Sequence, residues 1–234
     1  MSLRVAVVTP YFTEANEVLR QAHDSVLAQS HPCRHILVAD GRPNPLVADW
    51  DAEHIALPGG AADFGATPRF VGAADAVLQG YDLVAFLDAD NWLRPDHVQI
   101  LADLQQETGA GFLSCGRVLA RLDGSILAPC PLTDPDRFVD TSCMAFARQG
   151  FGLLRYWVAM PEYGKAICDR CMLVHVKASG VPRAHTPEQT VFYRCGKAGI
   201  YELMGEKAPA GVMPAPDYQG LFDRWTAEGR PPLV

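Results

Sequence analysis

Asp82-Leu83-Val84-Ala85-Phe86-Leu87-Asp88-Ala89-Asp90-Asn91 is an almost wholly apolar run that ends in two carboxylates at positions i and i+2. Apolar residues without alternation predict a strand buried on both faces, the pattern of a parallel sheet covered by helices. The strand end delivers both carboxylates to one loop, where their mutual repulsion has to be relieved. A hard divalent cation does this: Mg²⁺ or Mn²⁺ is usually held by one or two carboxylates and completed by water and phosphate oxygens. The plain alternative is a pair of solvated aspartates in a turn, and the apolar strand in front of them argues against it.

Working outward from this strand, apolar runs and helical stretches alternate. Leu3 to Thr9 reads as a buried strand stopped by Pro10, and Asn16 to Gln29 as a helix with Val18, Ala22, Val26 and Leu27 near one face. His35 to Asp40 and His54 to Leu57 are two more strands, closed by Gly41 and Pro58-Gly59-Gly60. Thr67-Pro68 reads as an N-cap with proline at the first helical position, opening a helix to Gln79, and Pro95 opens another to Thr108. This β-α-β-α order implies right-handed crossovers and a doubly wound sheet with its ligand site beyond the carboxyl ends of the strands, where Thr9, Asp40 and Asp88 fall. After Gly109 the pattern changes to a hairpin of Phe112 to Arg121 and Ile126 to Ala128, a strand at Cys143 to Ala147 and helices at Leu153 to Trp157 and Arg170 to Ala178. From Lys207 a proline-marked tail (Pro209, Pro214, Pro216, Pro231, Pro232) wraps or frays, with an amphipathic turn or two around Tyr218 to Glu228.

Composition narrows the functional classes. The 234 residues are 49% hydrophobic and 20% charged with a net charge of −7, enough to bury a full core and without the basic footprint of a general nucleic-acid binder. The longest apolar runs, Val5 to Val8 and Leu83 to Leu87, fall far short of the roughly 20 residues of a membrane-spanning helix, and no secretory leader is visible, so a cytoplasmic location is expected. The seven cysteines are an odd count, and the one close pair, Cys168-x-x-Cys171, lacks the context of a zinc or thioredoxin-like site; reduced, packed thiols are expected.

Three enzyme classes place D-x-D after an apolar strand. A haloacid-dehalogenase-type phosphatase has it on the first strand, continuing into Thr or Val; here it follows eighty-seven residues and continues into Asn91-Trp92. A nucleotidyltransferase opens with a Gly-rich, basic loop, and Pro10-Tyr11-Phe12-Thr13-Glu14 has neither. The third class fits. Four stretches, VAVVTPYFTE at 5–14, SVLAQSHPCRHILVADG at 25–41, GATPRFVGAADAVL at 65–78 and LVAFLDADNWLRPDHV at 83–98, stand in the order of the nucleotide-sugar glycosyltransferases. The chain resembles a glycosyltransferase with the GT-A fold, similar to the family-two group of inverting enzymes.

That resemblance implies a single α/β domain with a doubly wound mixed sheet, spanning 1–234: a nucleotide-sugar half at 1–98, an acceptor half at 99–206 and a tail at 207–234. It implies that Thr9 and Tyr11 contact the base and ribose, that Asp40 accepts a hydrogen bond from the base, and that Arg69 approaches the diphosphate. Asp88 would hold the ribose or a metal-bound water, and Asp90 the Mn²⁺ or Mg²⁺. Two departures stand out: the family's first acid after the second strand is Ala39, and its Ala-Arg-Asn is here Arg69-Phe70. Uracil is the family's commoner base, although a guanine imide would satisfy Asp40 equally.

In the acceptor half, Cys168-Asp169-Arg170-Cys171 resembles the family's acidic pair at a helix start, with Cys in place of the first acid, which makes Asp169 the candidate general base. It reads equally as a helix N-cap, and Asp140 and Glu162 stand next in line as bases. His185-Thr186 and Thr190 to Arg194 are similar to the segment that closes over the diphosphate. There His185 stands as a third metal ligand, a phosphate donor or a solvated loop residue, and Arg194 as a neutraliser of leaving-group charge. Trp92 and Trp157 suit sugar stacking and packing alike. The expected activity is sugar transfer from a nucleoside-diphosphate donor, a UDP-sugar first, to an unidentified acceptor hydroxyl with inversion. A catalytically silent nucleotide-sugar binder and a D-x-D phosphohydrolase are the alternatives.

Overall fold

A computed structural model describes residues 2–230, which leaves Pro231 and Pro232 of the tail outside the described residues. The first half alternates as the sequence predicts: β1 (Val5–Tyr11), α1 (Asn16–Leu27), β2 (Cys33–Ala39), β3 (Glu53–Ala56), α2 (Ala66–Leu78) and β4 (Leu83–Phe86). Past the aspartate loop come β5 (Trp92–Leu93), α3 (His97–Thr108), β6 (Phe112–Ala120), β7 (Ile126–Pro129) and β8 (Met144–Ala147). The chain then forms α4 (Tyr156–Ala159), α5 (Cys168–Ser179), β9 (Arg183–Arg194), α6 (Ala198–Leu203) and α7 (Tyr218–Ala227). Among the described residues the strands form one mixed sheet in the order β3-β2-β1-β4-β8-β6-β9-β5, with β7 pairing along β6. β3, β2, β1 and β4 run parallel, and β8 enters antiparallel beside β4.

Several boundaries differ from the sequence reading, each for a local reason. β1 runs through Pro10 to Tyr11 instead of stopping. The last rung between β1 and β4 is Val8↔Phe86, and the Val8 carbonyl then takes the Leu87 N–H at 3.0 Å. Pro10 faces that same side, beyond the end of β4, so its missing N–H breaks no rung. On α1 the buried face is Leu19, Ala22, His23 and Val26, whereas Leu27 is exposed. Thr67 is not an N-cap: α2 starts at Ala66 after Gly65, and the Asp63 carboxylate accepts the Thr67 N–H (3.0 Å) and hydroxyl (2.6 Å) from outside the helix. His185 and Thr190 to Arg194 belong to β9, a strand paired in parallel with β6, and form no closing loop.

The core lies on both faces of β4. Phe86 meets Phe146 and Trp157 edge-on at ring-centroid distances of 6.0 and 5.6 Å, and Trp225 of α7 is fully buried in the same cluster, so the tail wraps back onto the body. α2 presents a face of small residues, Ala66, Gly72, Ala73 and Ala76, to the sheet. A Cβ at Gly72 would stand 2.6 Å from Val8 Cγ1 and 2.8 Å from Val38 Cγ2, so the helix packs as closely as it does because that atom is absent.

Beneath the ends of β1 and β2 lies a buried polar chain. His35 Nε2 lies 2.9 Å from Thr9 Oγ1, His35 Nδ1 lies 2.9 Å from His23 Nδ1, and His23 stacks on Trp50. Two facing Nδ1 atoms share one proton, so one ring must accept, and burial lowers the His35 pKa to about 3.

Two outcomes are expected. Gly72→Ala gains intrinsic helix propensity, yet the clash with two strand methyls makes it destabilising by about 1–3 kcal/mol, measurable by urea unfolding; unchanged stability would show that α2 can lift off the sheet freely. His35 is held below its unfolded pKa of about 6.5, so the unfolded chain binds the extra proton and stability is lost as pH falls from about 6.5 toward 3. The deficit of His35→Gln relative to wild type should therefore shrink by about 2 kcal/mol between pH 7 and pH 5. A deficit that does not change with pH would mean His35 is not held neutral.

Candidate active site

A cavity of about 630 Å³ opens at the carboxyl end of the parallel strands, where the doubly wound topology places it. Tyr11, Phe12 and Glu14 line it from the end of β1, Asp40 from β2, Ala62 to Gly65 and Arg69 from the start of α2, and Asp88 to Asp90 from the end of β4. The second half of the chain completes the lining with Arg117 of β6, Phe138 and Asp140, Cys168 to Arg170 of α5, and Lys197, Ile200 and Tyr218 near α6 and α7.

Six of the sequence-derived site residues meet here: Tyr11, Asp40, Arg69, Asp88, Asp90 and Asp169. Arg69 is 3% exposed and donates through Nη2 to Asp88 Oδ1 at 2.7 Å, with its guanidinium 5.0 Å above the Trp157 ring. Burial is the largest single influence on the Arg69 pKa and lowers it, but Asp88 together with Cys168 and Asp140 makes the net shift upward. Asp90 goes the other way. Burial, reinforced by Asp88 and Glu14, pushes its pKa up to about 7. The carboxyl thus sits in a field that disfavours its anionic form, the setting in which a cation binds. Among the described residues no three His, Cys, Asp or Glu side chains form a cation cage, so an ion here would be completed by oxygens from outside the chain, as hard divalent ions with phosphate ligands are. On this chemistry Asp88 and Asp90 fit Mn²⁺ or Mg²⁺.

The aspartate loop is strapped by the second half of the chain. The Asp88 N–H donates to Ser142 Oγ at 3.1 Å, and Asn91 Nδ2 to the same oxygen at 2.9 Å. The Arg194 N–H donates to Asn91 Oδ1 at 2.9 Å, and its Nε to the Asp90 carbonyl at 3.0 Å. Arg194 Nη1 donates to the Leu122 carbonyl and Nη2 to Gln21 Oε1. Arg194 therefore lies behind the loop, outside the cavity lining, and fixes the backbone from which Asp90 projects; its expected approach to leaving-group charge is corrected to positioning.

Three further expectations change. Thr9 is fully buried with its hydroxyl on His35, below the cavity floor. His185 bonds Ser114 Oγ at 2.9 Å, lines a separate 50 Å³ pocket and has its pKa lowered by burial; it does not join Asp88 and Asp90 as a third metal ligand. Asp169 is no N-cap, because α5 begins at Cys168; its Oδ1 accepts the Arg170 N–H at 2.8 Å within the first turn. Burial raises the Asp169 pKa despite Arg170 nearby, where the helix terminus alone would favour the charged form.

Other placements refine the reading. The Tyr11 hydroxyl is committed, 2.6 Å from His54 Nε2 and accepting the Asn44 N–H at 2.9 Å, so only its ring is free to serve a ligand. Asp40 accepts the N–H groups of Ala61 (2.7 Å) and Ala62 (3.2 Å), which pins the loop whose Ala62 and Phe64 have φ of 51° and 57°. Trp157 is buried packing and Trp92 stacks on Phe192. Glu162, exposed and paired with Lys165 at 3.0 Å, lies outside the cavity lining, whereas Asp140 lines it. Asp140 Oδ1 accepts the Ser142 N–H and Oδ2 is paired with Arg117; burial raises its pKa to about 6 although Arg117 draws it down. The sequence reading passed over Arg117 and Ser142. Both stand in the half without a motif, and only the sheet order β4-β8-β6 brings Ser142 beside Asp88 and Arg117 onto the neighbouring Asp140.

Comparison with known proteins follows the same lines. The protein ExoW of succinoglycan biosynthesis in Rhizobium meliloti (strain 1021) is 34% identical over 109 residues, 41% of this chain and 32% of ExoW, so the chain spans about a third of that relative's length. In fold it is similar to the first 349 residues of S. aureus TarS in complex with UDP, with a TM-score of 0.65 and 14% identity over 86% of this chain and 63% of that one. The same TarS fragment in complex with UDP-GlcNAc gives a TM-score of 0.58 at 11% identity over 86% of this chain and 64% of that one. These likenesses identify the architecture as GT-A. The sequence pattern described as "Glycosyl transferase family 2" matches residues 6–132, more than half of the chain and all of the donor-side motifs, and the chain belongs to that family.

Proposed function

We propose that the protein transfers a sugar from a nucleoside-diphosphate donor, a UDP-sugar first, to an acceptor hydroxyl with inversion, with Mn²⁺ or Mg²⁺ as cofactor. One observation carries the reading: Asp88, Asp90 and Arg69 line a single cavity together with the half-buried carboxyl of Asp169. The TarS structures with UDP and UDP-GlcNAc support the choice of donor. A cation held by Asp88 and Asp90 would offset the charge that develops on the departing diphosphate.

The chain's own residues supply the rest. Tyr11 and Phe12 offer ring faces to the base. Each Asp40 oxygen already accepts one N–H and retains a second lone pair for the imide N–H of uracil. Arg69, bound to Asp88, adds fixed positive charge beside the diphosphate. Asp169 Oδ2 makes no hydrogen bond among the described residues and is free to take the acceptor's proton. As the acceptor oxygen bonds to the anomeric carbon from the face opposite the diphosphate, the old C–O bond breaks and its electron pair leaves on the phosphate oxygen. Attack from the far side gives inversion.

Two measurements test this. By calorimetry, UDP binds at least about tenfold more tightly with Mn²⁺ than with EDTA, and Asp90→Asn removes the difference; equal affinity in both conditions would overturn the metal assignment, and tighter GDP than UDP the base. For Asp169, a raised pKa means that transfer is lost as pH falls through a value above the ordinary carboxylate value of about 3.9, because the base must be unprotonated. Asp169→Asn should lower transfer about 10²–10⁴-fold and leave UDP affinity intact. Near-normal transfer by that variant would move the base elsewhere.

A further inference from the structure

The cavity holds five basic side chains, and the fold consumes three of them. Arg69 is paired with Asp88, Arg117 with Asp140, and Lys165 with Glu162 at 3.0 Å and Asp63 at 3.6 Å. The side chains of Arg170 and Lys197 make no hydrogen bond or ion pair among the described residues. Arg170 is nevertheless held in place: its guanidinium lies 5.0 Å from the Phe138 ring centroid, 5.8 Å from Tyr218 and 5.3 Å from Phe222. Packing against ring faces restrains a guanidinium and leaves its N–H edges open, which is the preorganisation suited to bidentate recognition of an oxyanion. Lys197 lines the same wall, half-buried, beside Ile200 and Tyr218.

Both cations act on Asp169 through space, but neither closes to an ion pair with it. Pairing with the base therefore does not account for them. The donor's diphosphate has holders of its own in Asp88, Asp90 and Arg69, which the first half of the chain contributes, whereas Arg170 and Lys197 come from the second half, Arg170 adjacent in sequence to the base. A neutral acceptor docked here would strip water from two charges and return hydrogen bonds but no opposite charge to offset their desolvation.

We propose that Arg170 and Lys197 form a subsite for an anionic group, a phosphate or a carboxylate, on the acceptor, next to the hydroxyl whose proton Asp169 removes. The inference rests on the transferase reading of the cavity and adds the acceptor's chemical class to it. It also explains why the acceptor wall mixes cations with Phe138 and Tyr218: the rings align the guanidinium and cover the apolar face of the bound molecule.

The test uses three probes that differ in charge on one sugar frame: glucose 6-phosphate, glucuronate and glucose. Each is titrated by calorimetry or ligand-observed NMR against the full chain, with saturating UDP and Mn²⁺ and again without UDP. At least one anionic probe is expected to bind roughly tenfold more tightly than glucose, the better of the two telling phosphate from carboxylate. Arg170→Gln and Lys197→Gln should each remove most of that preference, Arg170→Lys should retain part of it, and UDP affinity should stay within twofold throughout. The Lys197 side chain makes no hydrogen bond or ion pair among the described residues, so its variant keeps the test valid if Arg170→Gln disturbs the aromatic packing. Equal binding of the three probes, or a charge preference that survives both Gln variants, would overturn the subsite. So would a tenfold fall in UDP affinity in either variant, which would assign the cations to the donor. Failure of UDP to bind the wild type in any metal would instead defeat the donor reading, while the titrations without UDP still decide this one.

Discussion

The structure turns on a concentration of negative charge at the end of a buried strand. Asp88, Asp90, Glu14 and Asp140 all line one cavity, and Arg69 is the guanidinium bonded within the aspartate pair. An arginine 3% exposed is tolerable only when paired, and removing its partner would leave a buried charge uncompensated. The geometry of the first half follows from bringing it there. Gly72 lets α2 lie against β1 and β2, which lowers Arg69 toward the sheet edge. Gly65 must take φ of 80°, and a Cβ on it would stand 3.1 Å from Pro10 Cγ and 3.3 Å from Arg69 Nη2. The glycines around α2 are therefore consequences of the ion pair as much as of the helix.

Charges of one sign held close together require a rigid backbone, since a mobile loop would relax by moving them apart. The aspartate loop has no slack of that kind. Ser142 binds it from β8's approach, Asn91 binds Ser142, and Arg194 at the end of β9 binds both Asn91 and the Asp90 carbonyl. Every strap comes from the second half of the chain or is anchored there. The sheet order brings this about, because β8 lies next to β4 and the end of β9 returns beside the loop. The half of the sequence with the weakest motifs thus sets the stiffness of the half with the strongest.

That division explains what was legible in the sequence. Asp88, Asp90, Arg69 and Asp40 could be read because they sit at strand and helix ends whose apolar periodicity is local. Thr9 was misplaced by the strand's length: β1 runs on to Tyr11, so Thr9, on the same face two residues earlier, lies short of the strand end with its hydroxyl on His35 and leaves Tyr11 to line the cavity. His185 and Arg194 were placed in a closing segment by resemblance, whereas the pairing with β6 absorbs the stretch between His185 and Gln189 as register shifts and keeps one strand. Arg117 and Ser142 carry no local signal. Their roles exist only through contacts across the sheet, to Asp140 in one case and to the aspartate loop in the other.

On the proposed transferase reading, Asp140 and Asp169 are two carboxyls of one cavity with different work. Both are pushed up by burial, so desolvation alone does not distinguish a base from a structural acid. The difference lies in what each oxygen already holds. Asp140 has one oxygen on the Arg117 guanidinium and the other on the Ser142 N–H, so accepting a proton there would weaken a buried ion pair and the strap that depends on Ser142. Asp169 spends one oxygen on the N–H of its own neighbour and keeps the second open toward the cavity. Environments that separate two carboxyls into a fixed anion and a proton acceptor are a general way to assign acid and base roles. Here the separation is made by Arg117, which is itself held 4.2 Å from the Tyr193 ring centroid and 4.9 Å from that of Phe138. Phe138 is shared with Arg170, so one ring orders the arginine that commits Asp140 and the arginine that stands open beside Asp169.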